Sequence, residues 1–176
     1  MIEEKGVLLR GIEEEDLPII TGWMSNPLFK KFIGVNTIEN DHYVLEWLKA
    51  CTASQTKLNL LFGLPENGSI SGLCGFKNID HINAKAQFHL HYHDDNDKNL
   101  PAEDVLNVTL KFIFNKYNLN KIYSHMMTEN LKTIQAYQEI GFKKEGVLRK
   151  HICIDGVHKD ITVLSILRRE FLNKTP

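Results

Sequence analysis

Apolar positions along the chain recur with two different periods, and the switches between them lay out the elements. Gly6-Val7-Leu8-Leu9-Arg10 is a short apolar run that predicts an opening strand. After Glu13-Glu14-Glu15-Asp16, the segment Leu17-Pro18-Ile19-Ile20 leads to Trp23 and Met24 at helical spacing. Acidic residues suit that helix start, where exposed N–H groups and the positive dipole end favour them. The residue before a proline avoids the helical region, so this helix is predicted to stop near Asn26-Pro27. A second helix is predicted from Thr37 to Ala50, capped by Thr37 or Asn40, with Val44, Trp47 and Leu48 on one face. Between the two helices, Leu28 to Gly34 is aromatic without clear period and suits either a wall over a site or part of the core.

Period-two patterning then takes over. Leu58 to Phe62 reads as a strand ending at the turn Gly63-Leu64-Pro65-Glu66-Asn67-Gly68. Ser69 to Ile79 and Ala84 to Tyr92 continue as strands of an antiparallel meander. In the second of these, alternation predicts Phe88, Leu90 and Tyr92 on one face and Gln87, His89, His91 and His93 on the other. Helical spacing returns after Pro101, with Val105, Leu106, Val108, Thr109, Phe112 and Ile113, and is predicted to run to about Tyr117. Lys121 to Met126 reads as a strand and Asn130 to Ile140 as a helix closed by Gly141. Phe142 to Arg149 and His151 to Leu167, turning at Asp155-Gly156, complete the pattern. Strand, helix, strand, helix, strand predicts a mixed α+β sheet with a central parallel pair.

Composition narrows the function classes. A chain of 176 residues, 43% hydrophobic and 24% charged, suits one globular domain spanning 1–176. No apolar run approaches the roughly 20 residues of a membrane helix, and the mixed, acidic N-terminus is wrong for a secretory or mitochondrial signal. A cytoplasmic protein is expected. The net charge of −1 gives no pull toward nucleic acid or anionic lipid. Cys51, Cys74 and Cys153 form no CxxC pair, so no zinc site or disulfide framework is expected, and each reads as a small buried hydrophobe rather than a reactive thiol.

The specific signal lies between Asn120 and Leu167. Asn130-Leu131-Lys132-Thr133-Ile134-Gln135-Ala136-Tyr137-Gln138-Glu139-Ile140-Gly141-Phe142 resembles the asparagine, tyrosine and Gly-Phe signature of GNAT acetyltransferases. Lys144-Glu145-Gly146-Val147-Leu148-Arg149, Asp155-Gly156 and Asp160 are similar to the branch that acetylates ribosomal-protein alanine and spermidine. Leu9-Arg10 with Glu14-Glu15-Asp16-Leu17 resembles the start of the same branch. The resemblance implies a mainly antiparallel sheet of about seven strands with a splayed central parallel pair, flanked by about four helices. It also implies transfer of an acetyl group from acetyl-CoA to a primary amine by direct attack, with no metal.

By that resemblance Tyr137 corresponds to the phenol that protonates the leaving CoA thiolate, and Asn130 to a CoA-contacting asparagine. Leu90, Tyr92, Lys98 and Ala102 are the remaining expected cofactor contacts. Where relatives often carry a glutamate base, this chain has Gln87, and an amide cannot take the proton. His89, His91 and His125 are the candidates for that role, since histidine titrates near neutrality. The family's diphosphate loop, Gln/Arg-x-x-Gly-x-Gly/Ala, falls on Asp97-Lys98-Asn99-Leu100-Pro101-Ala102. Only Ala102 fits it. Leu100 replaces the central glycine, Pro101 removes an N–H donor, and Asp94, Asp95 and Asp97 bring negative charge toward a diphosphate.

Two readings follow: an acetyltransferase that holds CoA by other donors and Lys98, or an inactive module that keeps the fold as a binding or assembly surface. The acceptor is open among a small amine, an amino sugar and a protein N-terminus. Trp23, Phe29 and Phe32 could supply a stacking wall for a nucleotide-linked sugar, whereas a polyamine needs several carboxylates in one cleft. A homodimer is compatible with all of these. A metal held by His89, His91 and His93 is a third, lesser reading.

Overall fold

The computed structural model describes residues 1–23, 46, 49–50, 54–93, 100–154 and 156–174. Its strands are β1 (Ile2–Glu4), β2 (Val7–Gly11), β3 (Leu58–Gly63), β4 (Ile70–Asp80), β5 (Lys85–Tyr92), β6 (Lys121–Met127), β7 (Lys143–Ile154) and β8 (Val157–Leu167). The helices are a 3-10 turn at Glu14–Asp16, α1 (Leu17–Trp23), α2 (Ala102–Lys116), α3 (Leu131–Ile140) and α4 (Arg168–Lys174). The strand order is β1-β2-β3-β4-β5-β6-β8-β7, antiparallel at β1/β2, β2/β3, β6/β8 and β8/β7 and parallel at β5/β6. The expected mixed α+β sheet with a parallel pair is therefore present, with eight strands among the described residues where about seven were expected. The extra strand is β1, whose three residues include one apolar side chain, too few to register as a period. Helix α4 was likewise not expected. Of the helix expected over 37–50, only residues 46, 49 and 50 are described, and they are helical.

Contacts gather in two compact units, Met1–Gly75 with Leu90–Leu100, and Phe76–His89 with Pro101–Pro176. In the first, Ile20, Leu61 and Leu73 form a core against which Ile12, Leu17, Trp23 and Ile70 pack. Arg10 donates twice to the Asp16 carboxylate, both at 2.6 Å, and the same carboxylate accepts from the Glu13 N–H at 2.9 Å. Burial pushes the Asp16 carboxyl up, but these donors and the guanidinium charge outweigh it and hold it below the usual range. Asp16 thus locks the strand to the helix start, beyond the dipole role the sequence suggested. Gly72 sits where backbone must pass closely: a Cβ there would lie 2.2 Å from the His91 carbonyl oxygen and 2.6 Å from the Phe62 ring.

In the second unit, α2 buries Val105, Leu106, Val108, Thr109, Leu110, Ile113 and Phe114, and Phe114 packs on Phe171 of α4. Phe76 and Phe88 meet from β4 and β5 with ring centroids 5.1 Å apart. The alternation expected in β5 is blurred. Ala86, Gln87 and Phe88 are consecutively buried, as in an interior strand covered on both faces. Of the three cysteines expected to be buried, Cys74 is buried, Cys153 is exposed on β7, and Cys51 lies outside the described residues. No helix among the described residues is long and apolar enough to cross a membrane.

Candidate active site

The second unit carries most of the chemistry. β5 and β6 pair in parallel over Lys85–Gln87 and Lys121–Tyr123, which sets Gln87 beside Tyr123. One residue on, the link becomes a side-chain bond, Ser124 Oγ donating to the Phe88 carbonyl at 3.1 Å. Alternation from this register puts Gln87, His89, Tyr123 and His125 on one face of the pair and Phe88 and Ser124 on the other. The Tyr123 and His125 rings lie 5.6 Å apart, consistent with a shared face.

The second face meets α3. Asn130 is its N-cap, accepting from the Thr133 N–H at 3.3 Å. Gly141 closes the other end at φ 117°, its N–H bonding to the Gln138 carbonyl and the Phe142 N–H to that of Tyr137, both at 3.0 Å. This is a Schellman closure, which normally adds an apolar contact between the residue after the glycine and the last helical turn. Phe142 and Tyr137 make it, with ring centroids 4.9 Å apart. Tyr137 is 2% exposed and also faces Phe88, at 6.2 Å. The signature from Asn130 to Phe142 is thus the start and stop signals of one helix, with Tyr137 fixed between them.

His125 lies near two further basic groups. Its ring is 6.2 Å from that of His151, edge to face. His125 is exposed at its rim, but partial burial first, then the charges of His151 and Lys77, hold its imidazole below its ordinary value, which favours the neutral form. Sequence reasoning proposed His125 but missed His151, which was visible only as the end of the run Arg149-Lys150-His151. Gln87, the amide at the expected base position, is 9% exposed and accepts from Asn78 Nδ2 at 3.1 Å.

The first unit holds Leu90, His91 and Tyr92 at the end of β5, all half-buried. Tyr92 donates to the Leu100 carbonyl at 2.9 Å and meets Phe62 edge-on. Leu100, the residue at the expected glycine position, is 3% exposed and therefore a core anchor. His93 Nδ1 lies 2.9 Å from the Ser71 carbonyl, and its ring stacks on Trp23. That geometry occupies one nitrogen of the proposed His89–His91–His93 metal set, and the described residues contain no His, Cys, Asp or Glu cluster arranged for an ion. Ala102 is the first residue of α2, after Pro101, whose carbonyl accepts from the Asp104 and Val105 N–H groups. Lys98 with Asp94, Asp95, Asp97 and Asn99, and the aromatic segment with Phe29 and Phe32, lie outside the described residues.

Residues 9–163 match the family described as acetyltransferase (GNAT) domain. The chain belongs to that family. It is thus an acyltransferase of the kind that takes its acetyl group from acetyl-CoA. Over 177 residues it is 26% identical to a spermidine N(1)-acetyltransferase of Vibrio cholerae, covering 95% of this chain and 96% of that protein. An uncharacterized N-acetyltransferase of Bacillus subtilis, YoaA, is 23% identical over 96% of this chain and 97% of its own. Among solved structures, the Vibrio cholerae spermidine N-acetyltransferase in complex with CoA and spermine superposes with a TM-score of 0.86 at 24% identity, over 97% of this chain and all of that one. At that identity the superposition speaks to the fold.

Proposed function

We propose that residues 1–176 act as one N-acetyltransferase that acetylates the primary amine of a small acceptor, with Tyr137 as acid and His125 as base. The observation that carries this reading is the family match over residues 9–163, which takes in Asn130, Tyr137 and the Gly141-Phe142 closure. Acetyl-CoA supplies a thioester whose carbonyl carbon the amine nitrogen attacks, exchanging the C–S bond for C–N.

The chain's own residues then have separable tasks. The Tyr137 hydroxyl gives its proton to the departing thiolate and regains one from water; its burial keeps that proton from competing solvent. His125, on the face of the strand pair opposite Tyr137, takes the proton the amine sheds through an intervening water rather than by direct contact, and returns it to solvent. Its depressed basicity suits the task, because a base that is already protonated cannot act. His89 and His91, on β5, are the second choices for that proton. Leu90 and Tyr92 offer main-chain groups to the pantetheine arm. The first-turn N–H groups of α2 at Ala102, with Lys98, offer donors to its diphosphate. Asn130 serves first as a helix cap, and a contact with CoA would use its amide NH2. The relatives' spermidine makes a primary amine the natural acceptor class.

Calorimetric titration of acetyl-CoA into the wild-type chain and Tyr137→Phe, followed by assay of thiol release with an amine panel, tests the reading. Tyr137→Phe retains the ring contacts, so binding and melting temperature are expected to stay near wild type while kcat falls by about 10²-fold or more. Absence of acetyl-CoA binding at millimolar concentration would return the fold to the non-catalytic alternative.

A further inference from the structure

The β7/β8 hairpin departs from regular pairing at two places, between Lys144 and Gly146 and, with more surplus residues, between Leu148 and Ile152. Leu148 pairs with Ile161 and Ile152 with Lys159, so Arg149, Lys150 and His151 together stand opposite the single residue Asp160. Lys150 adopts φ 49°, a left-handed conformation uncommon for a lysine. The Asp160 carboxylate holds it there, accepting the Lys150 N–H at 2.7 Å, while the Asp160 carbonyl accepts from Thr128 at 3.1 Å. In a regular strand three consecutive side chains would alternate between faces. In this bulge, Arg149, Lys150 and His151 instead line one hollow of about 730 Å3, with Val147, Leu148 and Asp160 completing its wall.

The hollow brings two cationic side chains and one carboxylate together. Elsewhere in the unit Lys121, Lys143 and Lys159 are each paired with a glutamate, Glu145, Glu170 and Glu129. Among the described residues, neither the Arg149 guanidinium nor the Lys150 ammonium has an ion-pair partner. The one carboxylate in the wall is engaged by the Lys150 N–H. His151 connects the hollow to the proposed base, with its ring 6.2 Å from that of His125. A polyamine would meet two cations against the single Asp160 carboxylate here. A phosphate would meet a planar guanidinium and an ammonium, the pair best suited to it. Its lining residues are all exposed, so the hollow is open to solvent and reachable from outside.

We propose that this hollow seats the phosphate of a small phosphorylated amine, which Arg149 and Lys150 hold with its amino group toward His125. The proposal deepens the acetyltransferase reading and rests on it for the reaction, though the binding can be measured alone. Calorimetry on the full chain, with and without CoA, would compare 2-aminoethyl phosphate with ethanolamine and glucosamine 6-phosphate with glucosamine, with spermidine as the polycation. In at least one pair the phosphate is expected to tighten binding by about tenfold or more. That gain should disappear in Arg149→Gln/Lys150→Asn, where asparagine tolerates the left-handed backbone, while affinity for the unphosphorylated partner and for CoA is unchanged. No gain from phosphate in either pair, a gain that survives the double variant, or tighter binding of spermidine would overturn the inference. CoA binding and thiol release report on the acetyltransferase reading separately: their loss with the phosphate gain intact would sink that reading and leave the anion site standing.

Discussion

The left-handed closure of α3 gives the sharpest test of how sequence holds the site. Gly141→Ala places a Cβ on backbone at φ 117°. An L-residue in the left-handed region is disfavoured by about 1–2 kcal/mol, and this φ lies beyond the usual left-handed minimum near about +57°. The alternative is for the chain to leave that conformation and give up the two 3.0 Å bonds to the Gln138 and Tyr137 carbonyls. Each such bond has a net value of about 0.5–1.5 kcal/mol. Both routes converge on a loss of about 2 kcal/mol, or a fall in melting temperature of about 4–8 °C for a chain of this size. Urea unfolding followed by far-UV circular dichroism measures it. Gly141→Asn is the control, because asparagine enters the left-handed region more readily and should lose less. An alanine variant within about 0.5 kcal/mol of wild type, the ordinary range for an unimportant surface change, would refute the closure as the device that fixes Tyr137.

Three further outcomes follow from the geometry. Gly72→Ala drives a methyl into the His91 carbonyl and the Phe62 ring, and since backbone cannot yield cheaply, a loss of about 3 kcal/mol or failure to fold is expected, read by soluble yield and melting temperature. Asp16→Asn should cost about 1.5–3 kcal/mol. Because the Asp16 carboxyl is held low in the fold, its stabilisation is complete above the ordinary aspartate value of about 3.9. It is lost as pH falls through the lower folded value, so wild type and variant should converge in acid denaturation. For His125 the signs run differently: the unfolded chain takes up a proton first, so stability declines as pH falls from about 6.5 toward the lower folded value. An NMR titration should show a His125 midpoint below 6.5 that rises in His151→Gln, and an unmoved midpoint would remove His151 as a cause.

What could be read in the sequence was what is decided locally. The two ends of α3 depend on residues within one turn of Asn130 and Gly141, so the helix and the placement of Tyr137 were legible in advance. So were the β4–β5 meander and the turn into β8. Arg10 and Asp16 were both visible, but their pairing across six residues depends on how β2 hands the chain to the 3-10 turn, and the acid alone read as a helix-start charge. Leu100 reads in the sequence as a departure from the family's phosphate loop, and its burial and the Tyr92 bond to its carbonyl add a core anchor that the sequence did not reveal. The bulge at Lys150 left no trace, because lysine carries no left-handed preference and the residue that imposes it, Asp160, lies on the neighbouring strand. His151 was missed for the same reason: regular alternation gives no hint that it would turn toward His125.

The bulge has a second effect, on the border of the sheet. β7 is the last strand in the order, and at twelve residues it is a long edge. A straight border of that length, with Val147 and Leu148 partly exposed, would be a template for another chain's strand. Two surplus residues break the border into short stretches, and Lys143, Lys144, Arg149 and Lys150 put like charges along it. At the opposite border β1 is only three residues long. The same irregularity that gathers cations into a hollow therefore also protects the protein against sheet-to-sheet aggregation.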